Sequence, residues 1–128
     1  MTLATWCVLI GGLMPLLWTG IAKFTGPKKL APAQNKAPRA FLETLEGYQQ
    51  RANWAQQNAF EAFPLFAAGV IIAQQAGAVQ GTVDTVAVTW VGLRLAYGAA
   101  YLANIGLLRT LIWAAALACA ASLFFIAA

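Results

Sequence analysis

The chain has 128 residues, of which 61% are hydrophobic and 9% are charged, whereas soluble domains carry roughly 25% charged residues. A soluble fold of this length has too little interior to hide so much apolar surface, so the composition favours a single membrane domain, residues 1–128. The formal net charge of +4 does not indicate a nucleic-acid partner, because the positive charges are concentrated in one loop. The lack of histidine excludes histidine zinc sites and Ser-His-Asp triads, and no metal site is expected.

The first apolar segment, residues 3–22, contains no charged side chain. It has about the 20 residues that a helix needs to cross the hydrocarbon core of a bilayer. The chain start lacks the basic residues of a secretory signal peptide, and its apolar run continues to Phe24, so we predict a retained membrane helix. Pro15 is expected to bend this helix without breaking it.

A polar stretch, residues 23–52, follows the first span. Its first half is rich in proline, glycine and asparagine and is predicted to be a loop. Its second half has apolar residues spaced by three and four positions, with charged and amide residues between them, a pattern typical of an amphipathic helix. We expect this helix to lie at the membrane surface or to project from it.

Three further spans are predicted, at residues 53–73, 83–102 and 107–127. The second span is less apolar than the first and contains Glu61, whereas the third contains Arg94. The connection between the third and fourth spans is so short that these helices should be antiparallel neighbours. The fold class expected is therefore an all-α membrane protein, a bundle of four transmembrane helices.

The positive charges predict the orientation of the spans. The first loop and the helix after it contain Lys23, Lys28, Lys29, Lys36, Arg39 and Arg51. Arg109 lies at the junction of the third and fourth spans, which is on the same side, whereas residues 74–84 contain no Lys or Arg. The positive-inside rule therefore places the first and third loops in the cytosol and both termini on the opposite side.

Two ionisable residues, Glu61 and Arg94, are predicted to lie inside the bilayer. Such residues are costly there and indicate a functional site by default. At about 1.5 Å per residue, Glu61 lies roughly 12 Å and Arg94 roughly 15 Å from the cytosolic ends of their spans. Because the two have similar depth and opposite charge, we expect them to form an ion pair.

Helical periodicity predicts that further polar residues share the helix faces of Glu61 and Arg94. At about 100° per residue, one face of each helix is polar: Arg51, Trp54, Asn58 and Glu61 on the second span, and Arg94, Tyr97, Tyr101 and Asn104 on the third. In contact, these faces would form a polar, aromatic-lined cleft that opens to the cytosol and has an apolar outer wall. The alternative is that the side chains only join the helices, as single polar residues often do in membranes.

Residues 51–66 resemble the second-helix signature of the MAPEG family, the membrane-associated proteins in eicosanoid and glutathione metabolism. The Asn-x-x-Glu-x-x-Pro core of that signature is present as Asn58, Glu61 and Pro64. The third-helix pattern of an arginine followed by two tyrosines is also present, as Arg94, Tyr97 and Tyr101. The resemblance extends over nearly the whole chain, including four spans and a basic first loop.

This resemblance implies a left-handed four-helix bundle assembled as a homotrimer, with glutathione bound between subunits on the cytosolic side and lipophilic substrates arriving from membrane lipid. The glutathione-binding positions would be Arg51, Gln56, Asn58, Glu61, Arg94, Tyr97 and Tyr101. Arg109 would be the catalytic residue that stabilises the thiolate, although it is one residue out of register. Glutathione-using members have an arginine four residues before the asparagine, whereas this chain has Trp54 there and Arg51 about one turn earlier, as in a bacterial branch of the family.

The function implied is a glutathione-dependent transferase or peroxidase that acts on lipophilic electrophiles, with glutathione as co-substrate. A second hypothesis is a non-catalytic protein of the same fold that binds lipid or assembles with partners, which Trp54 and the displaced Arg109 favour. A third is a small multidrug-type transporter. Those transporters use a carboxylate in their first membrane helix, and the first span here has none.

Overall fold

The computed structural model describes residues 1–128 and contains helices but no strands. Four long helices are joined by short connections, except that the first connection is longer and contains two short elements. In chain order the elements are α1 (Leu3–Phe24), a 3-10 turn (Gln34–Lys36), α2 (Pro38–Glu43), α3 (Gly47–Gln75), α4 (Gln80–Leu102) and α5 (Gly106–Ala127). The prediction of an all-helical fold is therefore confirmed.

The helix ends follow from local chemistry. The Thr2 hydroxyl accepts a hydrogen bond from Thr5 N at 3.1 Å, which satisfies one of the free donors in the first turn of α1. Pro38 begins α2, where its missing N–H has no intrahelical partner to lose. Gly77 (φ 78°) turns the chain between α3 and α4, and Asn104 (φ 62°) does so between α4 and α5. Both residue types tolerate this left-handed conformation.

The predicted amphipathic lead-in is divided between two helices. Its first part forms α2, and its last part forms the first turns of α3, which begins at Gly47 rather than near residue 53. The chain changes direction just before Gly47, whose φ of 59° is left-handed. Phe41, Leu42 and Leu45 are buried and attach this corner to α1 and α3, so the start of α3 is held in place by packing.

The long helices bury a common core. α1 packs along α3 and α4, and α5 packs along the same two helices. The largest buried cluster joins all four at the end that holds the chain termini. Within it, the rings of Phe66 and Trp90 are stacked with centroids 3.8 Å apart. A Cβ added to Gly69 would come within 3.0 Å of Leu123, so α3 and α5 approach closely there.

α1 and α4 are in tight contact at Gly98. The indole ring of Trp18 occupies the space that a side chain at this position would need, and an added Cβ would overlap the ring. Trp18 is itself buried in a cluster with Met14 and Ala55. The contact therefore fixes the rotation and distance of α4 next to Tyr97, a residue of the predicted cleft.

A hydrogen-bonded network joins the helix ends near the chain termini. Asp84 Oδ1 accepts from Ala4 N at 2.8 Å and from Gln80 Nε2 at 2.8 Å. Gln74 Nε2 donates to Thr2 Oγ1 at 2.7 Å. The network ties the start of α1 to the end of α3 and the start of α4, and it provides a partner for a free N–H in the first turn of α1.

Two helices, α1 and α5, are long and apolar enough to cross a membrane. Large apolar side chains are exposed along both, for example Leu13 and Leu16 on α1 and Leu111 and Leu117 on α5. The polar residues of α3 and α4 lower the mean hydropathy of these helices. By length and composition, membrane spans are therefore supported at α1 and α5, and the other two spans stay predictions.

Candidate functional site

A shallow cleft lies between α3 and α4, where the sequence predicted that two polar helix faces would meet. It is lined by Trp54, Gln57, Asn58, Glu61, Tyr97 and Tyr101, and we call it the polar cleft. All of these residues except Gln57 belong to the two helix faces identified from the sequence. Tyr97 and Tyr101 form an edge-to-face pair with centroids 5.7 Å apart, and the ring of Trp54 lies 6.3 Å from that of Tyr101. The cleft therefore combines amide, carboxylate and phenol groups with aromatic walls.

Arg94 lies behind the cleft and is 2% exposed. Its Nη2 donates to Asn58 Oδ1 at 2.6 Å, its guanidinium carbon lies 4.3 Å from the centre of the Tyr97 ring, and its Nε has no hydrogen-bond partner. The expected Glu61–Arg94 ion pair is wrong, because the guanidinium is directed towards Asn58, one turn earlier in α3. Glu61 is exposed, so its carboxylate is free to face the cleft.

Arg109 reaches the cleft from the first turn of α5. Its guanidinium carbon lies 4.5 Å from the centre of the Tyr101 ring. A cation over an aromatic face is electrostatically stabilised, which holds the charge at the edge of the cleft rather than in the loop. The structure thus brings Arg109 to the polar cleft in spite of its shift in register.

Arg51 lies outside the lining of the cleft. Its Nε and Nη2 both donate to the carbonyl oxygen of Leu102, at 3.2 and 3.0 Å. Leu102 is the last residue of α4, where carbonyl groups lack intrahelical partners and a cation is favoured. In this structure Arg51 joins the start of α3 to the end of α4, immediately before the turn that leads to Arg109.

A first testable prediction concerns this contact. We expect Arg51→Met to lower the free energy of unfolding in detergent by about 1–2 kcal/mol, because it removes a charged donor from a helix end. Near-ultraviolet circular dichroism during thermal unfolding measures the change. Lys29→Met, which removes an exposed charge from the first loop, should have little effect. Unchanged stability together with a weaker affinity for glutathione would instead assign Arg51 to ligand binding.

Gln56 is also outside the polar cleft. It lines a neighbouring depression with Arg39, Glu43 and Asn53, which meets the polar cleft at Gln57, and its Oε1 is buried without a hydrogen-bond partner. The reason is periodicity, since two residues along a helix correspond to about 200° and place Gln56 on a different face from Asn58. Within one chain, the structure does not bring Gln56 together with the other predicted site residues.

A second cavity adjoins the polar cleft on the side of the hydrophobic core. Its volume is about 250 Å³, and we call it the apolar pocket. Asn58, Glu61 and Arg94 form its polar end, and its other lining residues are Ala62, Leu65, Trp90, Trp113, Ala116, Leu117 and Ala120. Sequence reasoning missed Trp90 and Trp113. A four-residue spacing could have found both, because Trp90 precedes Arg94 and Trp113 follows Arg109 by about one helical turn.

The fold and site define an all-helical protein with membrane-like helices and a polar, aromatic-lined cleft that has Arg109 at its edge and adjoins an apolar pocket. A model of the MAPEG family matches residues 3–128, so this chain belongs to the MAPEG family. The sequence motifs in α3 and α4 predicted this membership. No significant match was found among curated proteins or among solved structures. Family membership and the two apolar helices together indicate a membrane location.

Proposed function

We propose that the protein is a glutathione-dependent transferase or peroxidase that acts on lipophilic electrophiles at the polar cleft. The observation that carries the proposal is that Arg109 stands at the edge of a cleft lined by Asn58, Glu61 and two tyrosines, directly beside an apolar pocket. The first cavity would hold the peptide-like co-substrate, and the second would hold the apolar substrate.

The residues of the cleft suit the groups of glutathione. Glu61 is exposed, so its carboxylate can accept hydrogen bonds from an ammonium or amide group. The phenols of Tyr97 and Tyr101 can both donate and accept. Asn58 Oδ1 is already used by Arg94, which leaves its amide nitrogen to donate to a carbonyl or carboxylate.

Glutathione supplies the nucleophilic sulfur, which is reactive as the thiolate. Arg109 contributes a permanent positive charge that favours the ionised form and lowers the barrier to attack. In conjugation, the sulfur–carbon bond forms while the electrophile's leaving bond breaks. In peroxide reduction, two glutathione molecules give an alcohol, water and glutathione disulfide. Neither reaction requires a nucleophile from the protein.

The proposed assembly is a homotrimer with four membrane spans per chain and with the first and third loops in the cytosol. The placement of Gln56 and Arg39 supports a shared site. Neither residue lines its own chain's polar cleft, and Gln56 has a buried acceptor without a partner, so this face would complete the site of a neighbouring subunit. The exposed apolar faces of α1 and α5 would contact lipid or the neighbouring chains.

Turnover in purified protein tests the proposed function. The protein in detergent should conjugate glutathione to a generic aryl halide and should run as a trimer in native mass spectrometry. Glu61→Gln should raise the KM for glutathione by about tenfold, as expected for loss of one charged hydrogen bond. Lys36→Gln, a charge change in the first loop, serves as the control. A folded trimer without glutathione turnover would contradict the proposed activity.

A non-catalytic, lipid-binding role is the second candidate, and Trp54 favours it. This side chain is 41% exposed at the cleft and lies against Tyr101, at the position where glutathione-using relatives carry an arginine. A tryptophan gives an apolar surface where a guanidinium would bind a carboxylate through two hydrogen bonds. In that case the polar cleft would hold a lipid headgroup rather than a peptide.

Trp54→Arg provides a further prediction that bears on this choice. If glutathione is the natural ligand, the new guanidinium should tighten glutathione binding by about tenfold, the gain expected from one added charged hydrogen bond. Isothermal titration of the detergent-solubilised protein measures the affinity, and Trp54→Gln, which removes the ring without adding a charge, is the matched control. Equal affinity in wild type and Trp54→Arg would favour the lipid-binding alternative.

A further inference from the structure

The first connection, between α1 and α3, contains a depression with two lysines and no carboxylate in its lining. Its volume is about 320 Å³, and we call it the lysine depression. It shares no residue with the polar cleft or the apolar pocket. The residues that line it are Lys28, Ala33, Gln34, Lys36, Ala37, Ala40, Phe41 and Thr44. The acidic residues of the same connection, Glu43 and Glu46, line neighbouring depressions instead.

The polar groups of the lysine depression have unused capacity to donate hydrogen bonds. Lys28 Nζ donates to the carbonyl oxygen of Thr44 at the long distance of 3.5 Å, and the Lys36 side chain is exposed. Gln34 Oε1 accepts from Ala31 N at 2.7 Å, which leaves the amide nitrogen of Gln34 to donate. Two like charges beside one cavity repel each other. An anion with several acceptor oxygens, such as a phosphate, would remove that repulsion and use all three donors.

The backbone that carries Lys28 is held in place by a buried side chain. Gln49 is 2% exposed. Its Nε2 donates to the carbonyl oxygens of Ala22, Thr25 and Lys28, at 2.9, 2.6 and 2.6 Å. Its Oε1 accepts from Lys28 N at 3.3 Å. Because Lys36 also stands on ordered backbone, at the end of the 3-10 turn, less conformational entropy is lost when the two lysines bind one ligand.

The lysine depression lies directly beyond the end of an apolar helix that is long enough to cross a membrane. α1 ends at Phe24, which is 62% exposed, and Lys28 follows four residues later. Leu30 N donates to the carbonyl oxygen of Lys23, in the last turn of α1, at 2.8 Å, so the connection stays against that helix end. The two lysines therefore stand at the level where the polar headgroups of a bilayer begin.

We propose that the lysine depression binds the phosphate of an anionic phospholipid, with Lys28 and Lys36 as its charged donors. A lipid is favoured over a soluble phosphate because these lysines follow a membrane helix, on the side that the positive-inside rule assigns to the cytosol. The cytosolic leaflet carries negative charge, which attracts basic residues next to a membrane span. Binding at this site does not depend on the proposed glutathione chemistry.

Native mass spectrometry of the full-length protein in a nonionic detergent tests this assignment, because it resolves individual bound lipids. Dioctanoyl phosphatidylglycerol and dioctanoyl phosphatidylcholine, which share their acyl chains and differ in net charge, are titrated separately. Wild-type protein should bind phosphatidylglycerol about tenfold more tightly than phosphatidylcholine, as expected when two lysines contact one anionic headgroup. Equal affinity for the two lipids would overturn the proposal.

Single substitutions distinguish a defined site from diffuse attraction. Lys28→Gln and Lys36→Gln should each weaken phosphatidylglycerol binding by about fivefold and leave phosphatidylcholine binding unchanged, whereas Lys28→Arg should retain most of the selectivity. Lys29→Gln is the matched control, because it removes the same charge from an exposed residue outside the lining. It should weaken binding by no more than about twofold. An effect of Lys29→Gln as large as that of Lys28→Gln would overturn the proposal.

Inorganic phosphate is the soluble source of the same chemistry, and a competition experiment separates the two sources. At millimolar concentration it should leave phosphatidylglycerol binding to wild type nearly unchanged. If inorganic phosphate displaces the lipid from wild type but has no effect on Lys28→Gln, the depression is a site for a soluble anion and the proposal is overturned. Selective lipid binding by a protein without glutathione turnover would contradict the proposed enzyme activity alone.

Discussion

Replacement of Arg109 by alanine is expected to lower the kcat of glutathione conjugation by about 100-fold or more. Its guanidinium stands at the edge of the polar cleft, 4.5 Å from the centre of the Tyr101 ring, where it would face the proposed thiolate. Loss of one electrostatic stabiliser of a developing anion typically costs about 10²–10³ in rate. The ultraviolet absorbance of the bound thiolate should disappear with the activity.

Arg109→Lys is the matched variant, because it retains the charge but not the planar guanidinium that packs over Tyr101. It should keep a measurable fraction of the thiolate absorbance and of kcat. Lys29→Ala controls for a change of net charge on the same side of the bundle. If Arg109→Ala retains wild-type kcat and thiolate absorbance, Arg109 is only part of the positive charge that orients the helices.

Gly98→Ala is expected to have the largest effect on stability of any single added methyl group. The new Cβ would overlap the indole ring of Trp18, and this ring is buried between α1, α3 and α4. Overpacking of a dense core costs about 1–3 kcal/mol, occasionally more. Because Tyr97 is the preceding residue, the displaced helix should also weaken ligand binding in the polar cleft.

Gly92→Ala on the same helix provides the control. A Cβ at Gly92 has no neighbouring atom within 4 Å, so this substitution should stabilise α4 by up to about 1 kcal/mol through helix propensity. Trp18→Phe combined with Gly98→Ala should recover part of the lost stability. Denaturant or thermal unfolding in detergent measures all of these changes. Similar stability of the two alanine variants would show that the Trp18–Gly98 contact is not tight.

Much of the site could be predicted because side-chain directions in an α-helix recur with a regular period. A rotation of about 100° per residue was enough to place Asn58 and Glu61 on one face and Tyr97 and Tyr101 on another. The same rotation separates Gln56 from Asn58 by about 200°, so only the family pattern placed Gln56 at the site. Trp90 and Trp113, in the apolar pocket, lie one helical turn from Arg94 and Arg109, respectively. Their spacing places them near the site, but tryptophan is equally common in a hydrophobic core, so residue type does not distinguish the two roles.

What the sequence could not predict depends on side-chain conformation and on contacts between distant residues. Glu61 and Arg94 lie at similar depth along their helices, but Arg94 donates a hydrogen bond to Asn58. A long side chain can reach several partners that are one helical turn apart, and helix periodicity alone does not determine which partner it contacts. Arg51 donates to the carbonyl oxygen of Leu102, which is 51 positions later in the chain. This carbonyl is free to accept because α4 ends at Leu102, and the sequence did not predict that contact. The break before α3 depends on the packing of Phe41, Leu42 and Leu45.

The most direct test of the account is whether the polar cleft binds glutathione as its thiolate. Isothermal titration of the purified protein at pH 7, repeated in buffers with different ionisation enthalpies, reports how many protons binding releases. Because the free thiol is mostly protonated at this pH, binding as the thiolate should release about one proton per glutathione, and Arg109→Ala should abolish that release. Folded protein that binds no glutathione, or that binds it without proton release, would contradict the account.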